Sequence, residues 1–234
     1  MMQIVRRSEE RGMADHGWLR SAHTFSFAGY HDPAWMQFGV LRVINEDRIA
    51  PGEGFGTHGH RDMEIISYVL EGALAHRDSM GHGSAIRPGD VQRMSAGTGL
   101  THSEYNESRE GWTHFLQIWI LPDRQGHPPS YEERRFESST KRGRLALLIS
   151  PQGEQNSLSI HQDARVYAGL FDAGESTTLE GLRDRRVWVQ VARGRIQVNG
   201  TRLSQGDAIG FVSTPAIQIG EGDAAEILVF DLPH

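Results

Sequence analysis

The feature that most constrains the fold is a strand pattern that occurs twice along the chain. In the first half, YVLEGALAHRD is followed by AIRPGDVQRMSAG; in the second half, VQVARGRIQVN is followed by RLSQGDAIGFVS. In each copy a strand ends near a glycine, a second strand follows, and a Gly-Asp pair opens a third. Two copies of one β unit predict two stacked barrels in a single chain.

The remaining segments also favour an all-β chain. Short stretches rich in Val, Ile, Tyr and Trp, such as MEIISYVLEG, FLQIWILP and EILVFDL, are separated by turns, to which the 27 glycines contribute. Short strands at close spacing are typical of a β-sandwich or barrel. The Asn-Gly pair of VNGT, at 198–201, predicts a tight hairpin. The stretch around 171–183, FDAGESTTLEGLRD, is expected to hold one helical turn.

These patterns divide the chain into three parts. Residues 1–121 are predicted to form an N-terminal, metal-binding barrel, and residues 145–234 a second, degenerate barrel without metal. Between them, residues 122–144 begin with PDRQGHPPSYEERRFESSTKRG, which is dense in charge and contains Pro-Pro. This composition predicts a linker or a segment that wraps around the first barrel.

Composition excludes several classes of function. The formal net charge is -6 and no basic tract stands out, so direct nucleic-acid binding is not expected. The longest apolar stretches are too short to span a membrane. The N-terminal sequence MMQIVRRSEERGMADHG lacks the apolar core of a signal peptide, which predicts a cytoplasmic protein. Because the chain has no cysteine, any transition-metal site must use histidine and carboxylate.

Two pairs of potential ligands have the spacing that a strand requires. His58 and His60 are two residues apart, as are His102 and Glu104, and residues two apart on a strand point to the same face. Two such pairs on neighbouring strands would place four donors around one point. Three imidazoles and one carboxylate suit a divalent Fe, Mn, Co, Ni, Cu or Zn ion, and the ligand set alone does not choose among them.

Other histidines and carboxylates give weaker signals. Glu64 shares strand parity with the first histidine pair, so it is either a hydrogen-bonding partner inside the same cavity or a buried structural carboxylate. His76 and His82 lie near predicted turns and are expected to be solvated.

The two ends of the chain are not expected to carry chemistry. The N-terminal segment is expected to cap a barrel, with its Trp and Phe residues in the core and with no chemical role for its histidines, which are His16, His23 and His31. In the second half, the strand RRVWVQVARG offers Trp188 and Gln190 where the first half has histidines. No metal is therefore expected there.

The two histidine segments closely match the signature motifs of the cupin superfamily. They are PGEGFGTHGHRDMEIISYVLEG and GTGLTHSEYN. Over most of its length the chain resembles the pirin family, whose bacterial branch includes quercetin 2,3-dioxygenase-like members. The segments that carry the resemblance are ERGMADHGWLRSAHTFSFAGYHDP, HRDSMGHGSAIRPGDVQRMSAGTGLTHSE and LQIWILP. The first motif departs from the common cupin spacing, with one residue fewer before Glu64 and one more before Gly72.

This resemblance implies an all-β bicupin with two stacked jelly-roll barrels. It implies one divalent metal, iron first among the candidates, held by His58, His60, His102 and Glu104. In pirin-like proteins the carboxylate ligand comes from the second motif, which favours Glu104 over Glu64.

The implied activity is the cleavage of a flavonol such as quercetin by dioxygen, with loss of carbon monoxide. Glu104 would be the general base, and Glu64 the reserve. The alternative is a metal-containing regulatory protein, such as a transcription cofactor or redox sensor that binds a protein partner.

Overall fold

The computed structural model describes residues 2–234, in which strand is the main secondary structure and helix is scarce. The strands of the first 135 residues are β1 Met2–Arg6, β2 Gly12–Asp15, β3 Leu19–His23, β4 Leu41–Ile49, β5 Gly54–His60, β6 Glu64–Glu71, β7 Leu74–Asp78, β8 Gly83–Ile86, β9 Asp90–Ser95, β10 Leu100–Tyr105, β11 Thr113–Ile120 and β12 Ser130–Arg135. The later strands are β13 Leu145–Ser150, β14 Leu158–Ser159, β15 Arg165–Phe171, β16 Thr177–Glu180, β17 Arg185–Val198, β18 Thr201–Ser204, β19 Ala208–Val212 and β20 Ala216–Pro233.

Within residues 2–234, helical structure is limited to three short elements. They are one α-helix, α1 Ser138–Lys141, and 3-10 turns at Ser8–Glu10 and Glu154–Asn156. None of the helices described within residues 2–234 has the length and apolar character needed to cross a membrane.

The first half is built from two sheets. One has seven strands in the order β12-β9-β6-β11-β4-β3-β2, and the other has four in the order β5-β10-β7-β8. The alternating side chains of β11 show what each face of the larger sheet contacts. Gln117 and Trp119 line a cavity inside the half, whereas Leu116 and Ile118 pack into an apolar cluster shared with the second half, including Phe230.

The second half forms a nine-stranded sheet whose inner face is filled. Its main path runs β1-β19-β17-β20-β15-β13-β14, with β16 paired to β20 and β18 to β17. The apolar side chains of a second cluster are packed together there, among them Val187, Val189 and Val191 of β17 and Phe211 of β19. The interior of this half is therefore a packed apolar core.

Two segments cross the boundaries drawn from the sequence. Strand β1 pairs with β19, Met2 opposite Val212, so the first strand of the chain lies in the sheet of the second half. Strand β12, inside the expected linker 122–144, pairs antiparallel with β9 and extends the sheet of the first half. The division into 1–121, 122–144 and 145–234 stays a prediction, with these two placements added.

Two local predictions in the second half have opposite outcomes. The hairpin at 198–201 is confirmed: Val198 pairs with Thr201, and Asn199 and Gly200 have φ angles of 44° and 79°. The helical turn expected around 171–183 is wrong. Residues Thr177–Glu180 form β16, and pairing with β20 supplies hydrogen bonds that an isolated turn lacks.

The side chains of Trp188 and Gln190 face the junction between the halves. Trp188 packs against Phe25 and Phe38, with ring centroids 5.1 Å and 5.2 Å away. The Gln190 amide donates to the carbonyl oxygen of Gly206 at 3.2 Å. These two residues therefore do not occupy the interior position that the comparison with the first histidine strand suggested, because their neighbours Val187, Val189 and Val191 do.

Candidate metal centre and cavity

Three of the four expected ligands converge at the edge of the four-stranded sheet. His58 and His60 lie on β5, and His102 lies on β10 directly opposite His58. The ring centroids are 4.5 Å apart for His58 and His102, 4.8 Å for His58 and His60, and 4.9 Å for His60 and His102. One ring nitrogen from each lies within 4.8 Å of the others.

This donor geometry fits a first-row metal ion. The Nε2 atoms of His58 and His102 are 3.1 Å apart, and two nitrogen ligands at right angles around an ion with bonds of about 2.1 Å would be separated by about 3.0 Å. Burial and the nearby imidazoles lower the pKa of His60 to about 4 and that of His102 to about 3. Both rings are therefore neutral at pH 7, with a lone pair free to bind a cation.

Glu104 lies beside this group rather than among its three nitrogens. A β-bulge between His102 and Glu104 changes the register of β10 against β5. A carboxylate oxygen of Glu104 lies within 4.8 Å of nitrogens of His102 and His76. Ser67 donates to one oxygen at 3.2 Å and the amide of Gln117 to the other at 2.7 Å, so both are oriented from the opposite sheet.

The expectation that His76 is solvated is wrong. It is 1% exposed on β7, opposite Glu104, and its Nδ1 lies 3.4 Å from Nδ1 of His102. The Gln92 amide nitrogen, which can only donate, lies 3.3 Å from the same His76 atom. His76 Nδ1 is then the acceptor, and its Nε2–H donates to Asp78 at 3.3 Å.

This arrangement favours one tautomer of His102, a candidate metal ligand. Since His76 Nδ1 accepts, His102 Nδ1–H donates to it, which leaves the lone pair of His102 on Nε2, the atom that faces His58. His82 is exposed, as expected, and its ring contacts Asp78 at 3.0 Å.

Glu64 has other partners than the candidate metal ligands. Its carboxylate accepts from Ser95 at 2.8 Å and contacts His161 of the second half at 3.2 Å. The parity argument fails because His58 and His60 lie on β5 of the small sheet, whereas Glu64 opens β6 of the large one. A turn between the two sheets, with Asp62 at a φ of 48°, breaks the alternation.

A cavity of about 630 Å³ opens next to the three histidines. His58, His60 and Gln117 line one part of it, and the rest is mainly apolar and aromatic, including Phe55 and Trp119. The space is large enough for a small aromatic molecule.

The N-terminal segment supplies part of the cavity wall. Phe27 and Tyr30 line it, together with His16 and His23, so the expectation that the aromatic residues here are core holds for Phe25 but not for Phe27. His31 is exposed and lies outside the lining.

Sequence reasoning missed three supporting side chains, His76, Ser67 and Gln117. A usable signal existed for each: His76 directly follows two apolar residues in LAHRD, and Ser67 and Gln117 are flanked by apolar residues in EIISYVLE and THFLQIWI. A polar residue inside a buried strand needs a partner. That partner comes from another strand, which the sequence of one strand does not identify.

Models of two protein families match the chain. The model named Pirin matches residues 4–120, and the model described as the quercetinase C-terminal cupin domain matches residues 147–232. The prediction of an all-β chain with two cupin barrels is confirmed by these matches and by the strand content.

Curated relatives and solved structures agree with the family models. A protein of Escherichia coli K12 named quercetin 2,3-dioxygenase is 46% identical over 232 residues, covering 99% of both chains. A Caulobacter vibrioides protein named pirin-like is 42% identical over 95% of this chain and 96% of its own. The crystal structure of an Escherichia coli bacterial pirin, YhhW, in complex with nickel(II) has a TM-score of 0.94 at 46% identity and covers 99% of both chains.

Proposed function

The chain belongs to the pirin family, and on that premise we propose that it is a metal-dependent dioxygenase that cleaves flavonols such as quercetin. The observation that carries the proposal is a set of three converging imidazoles, two of which line a mainly apolar and aromatic cavity. A flavonol is flat, apolar over most of its surface, and carries a hydroxyl beside a carbonyl at one edge. The cavity and its polar end match these properties.

We propose His58, His60, His102 and Glu104 as the residues that hold one divalent ion. The three imidazoles have the spacing that such an ion requires, and Glu104 is adjacent to His102. Iron is the first candidate from the family resemblance, and the nickel complex of the 46% identical relative makes nickel a second. When bound, the ion supplies Lewis-acid chemistry that lowers the pKa of a flavonol hydroxyl.

The residues of the chain then have distinct tasks. Glu104 takes the proton of the 3-hydroxyl as general base, while the amide of Gln117 and the hydroxyl of Ser67 hold its two oxygens in place. His76 keeps the lone pair of His102 on Nε2. Trp119 and Phe27 exclude water from the flat faces of the substrate, which protects the reactive flavonolate from side reactions.

The test is turnover by the metal-loaded protein. Protein loaded separately with Fe, Ni, Mn, Co, Cu or Zn is mixed with quercetin, and the loss of flavonol absorbance and of dissolved oxygen is recorded together, with carbon monoxide in the headspace. We expect equimolar consumption with at least one metal. If no metal supports cleavage of any flavonol, the catalytic proposal fails and the regulatory alternative, with a protein partner, becomes the better explanation of the metal site.

A further inference from the structure

A second polar group lies inside the cavity, apart from the candidate metal ligands. It consists of Ser21 and His23 on β3 and of Asn45 and Asp47 on β4, and we call it the distal cluster. The two strands pair so that Ser21 is opposite Asp47 and His23 is opposite Asn45. All four side chains are at most 4% exposed, and all four line the cavity.

Hydrogen bonds within the distal cluster use only part of its capacity. The Ser21 hydroxyl donates to Oδ1 of Asp47, and His23 Nδ1 lies 2.9 Å from Oδ1 of Asn45. Within residues 2–234, no hydrogen-bond partner is found for Nε2 of His23, Nδ2 of Asn45 or Oδ2 of Asp47. Each of these three atoms also has some accessible surface, so it can be reached from the cavity.

Polar atoms of side chains this buried usually have a hydrogen-bond partner, and for these three atoms a partner can come only from the cavity. Asp47 is the clearest case. Burial, with a smaller contribution from the charge of Glu104, raises its pKa to about 7, and no arginine or lysine of the described chain forms an ion pair with it. Its neighbour Glu46, in contrast, is paired with Arg11 at 2.9 Å. A carboxyl kept without a counter-ion inside a cavity suggests a ligand that supplies the missing contact.

A continuous aromatic wall connects the two polar groups. His60 packs edge-on against Trp119, Trp119 against Phe27, and Phe27 against His23, with ring centroids 5.0 Å, 5.3 Å and 5.4 Å apart. Such a wall suits a flat aromatic molecule.

The strand register gives the distance between the two groups. Gln117, which holds Glu104, is opposite Asn45, and Asn45 is opposite His23, across the strands β11, β4 and β3. With neighbouring strands about 4.8 Å apart, this row is roughly 10 Å long, comparable to a three-ring polyphenol.

We propose that the distal cluster is a subsite for the outer hydroxyl groups of a planar polyphenol. The ligand would place its hydroxyl-carbonyl edge at His58 and His60 and its remaining hydroxyls at Asn45 and Asp47. This inference rests on the proposed function for the orientation of the ligand. The Asn45 amide donates to a phenol oxygen and Oδ2 of Asp47 accepts from a phenol O–H, so a donor and an acceptor side by side fit a group that can do both.

The experiment compares two ligands in the absence of oxygen, so that binding is measured without turnover. Quercetin carries hydroxyls on its outer rings, whereas 3-hydroxyflavone has only the hydroxyl-carbonyl edge. Kd values are measured by fluorescence titration of the nickel-loaded protein and of its Asp47→Leu and Asn45→Leu variants. We expect the wild type to prefer quercetin, and each variant to reduce that preference about tenfold with little change for 3-hydroxyflavone.

Controls separate this effect from damage to the fold. Gln190→Met removes a buried amide of the second half and should leave the preference unchanged. Asp47→Asn keeps the shape of the side chain, and its Kd values for the two ligands are measured if the leucine variant does not fold.

An undiminished preference in folded, metal-loaded variants overturns the subsite and leaves the oxygenase proposal untouched if turnover persists. A reduced preference supports the subsite, even for a protein that binds quercetin but never cleaves it, in which case only the proposed reaction fails. Equal binding of both ligands by the wild type also overturns it.

Discussion

The two halves share a strand pattern but differ in what their strands enclose. On the inner side of the second half, Val187, Val189 and Val191 pack into an apolar cluster with at most 1% exposure. The first half encloses imidazoles, carboxylates and amides around a cavity of about 630 Å³. The two copies of the fold therefore differ in their interiors: that of the second half is filled with apolar side chains, and that of the first half contains a cavity. We call them the filled half and the hollow half.

Because of this difference, the two halves contribute unequally to the stability of the fold. A cavity and buried polar groups cost free energy, because lost contacts and incomplete hydrogen bonding are not recovered. The filled half and the apolar cluster between the halves supply the contacts that the hollow half lacks. A cavity with buried polar groups can then be maintained in a chain whose total stability remains sufficient.

The largest expected effect is the loss of metal from the hollow half. The His58→Ala/His102→Ala double variant removes two of the three converging nitrogens. Metal affinity should fall by more than about 100-fold, since even the loss of a ligand's supporting hydrogen bond costs 10- to 100-fold. Elemental analysis after dialysis measures it, with the exposed His31→Ala as control. Full metal content in the double variant would mean that other residues bind the ion.

Next in size is the effect of the candidate base on turnover. Glu104→Gln keeps the shape of the side chain but cannot take a proton, and should lower kcat by about 10²–10⁴-fold. Glu64→Gln is the matched change, and its partners are Ser95 and His161, so it should lower stability more than rate. Metal content is measured in both variants. Wild-type turnover in a metal-replete Glu104→Gln protein would rule out the base.

Truncation of one aromatic residue in each half tests the contrast in packing. Phe211→Ala opens a void in the filled half and should lower the free energy of unfolding by about 3–5 kcal/mol. Phe27→Ala only enlarges an existing cavity, so its cost should be less than about half of that. Denaturant unfolding of both variants gives the two values. Similar costs would contradict the description of one half as filled and the other as hollow.

A smaller effect concerns buried aspartates. The pKa of Asp47 is raised from 3.8 to about 7 in the folded protein. As the pH rises above 3.8, Asp47 therefore ionises in the unfolded chain before it does so in the folded one, and the free energy of unfolding falls until about pH 7. The loss of stability remains at higher pH. Asp47→Asn should therefore raise stability at pH 8 by on the order of 2 kcal/mol more than at pH 5. Thermal unfolding at both pH values measures this. The matched variant Asp231→Asn should instead lower stability, because Asp231 is paired with Arg185 at 2.6 Å.

The sequence was sufficient to find the converging histidines because their spacing is a local property. His58 and His60 share a face by alternation alone, and only the pairing of β5 with β10 was needed to bring His102 opposite. Glu64 shows the limit of the same rule. Parity holds within one strand and is lost at a turn that carries the chain into another sheet.

The distal cluster and His76 depended on long-range pairing. Asn45 and Asp47 are two residues apart, as are Ser21 and His23, so each pair carries the same local signal as the histidine motif. What gives the pairs meaning is their alignment across β3 and β4 at the wall of a cavity. Neither the alignment nor the cavity follows from the residues of one strand.

The placement of β1 determines when the molecule can be completed. Met2 pairs with Val212, so the strand made first finds its partner only after nearly the whole chain has left the ribosome, roughly 10–40 s later at ordinary elongation rates. Until then β1 lacks its partner strand and is open to pairing with another chain. The segment that follows β1, with Phe27 and Tyr30, forms a wall of the cavity. The order of synthesis therefore makes β1 the last strand of the first 135 residues to find its partner.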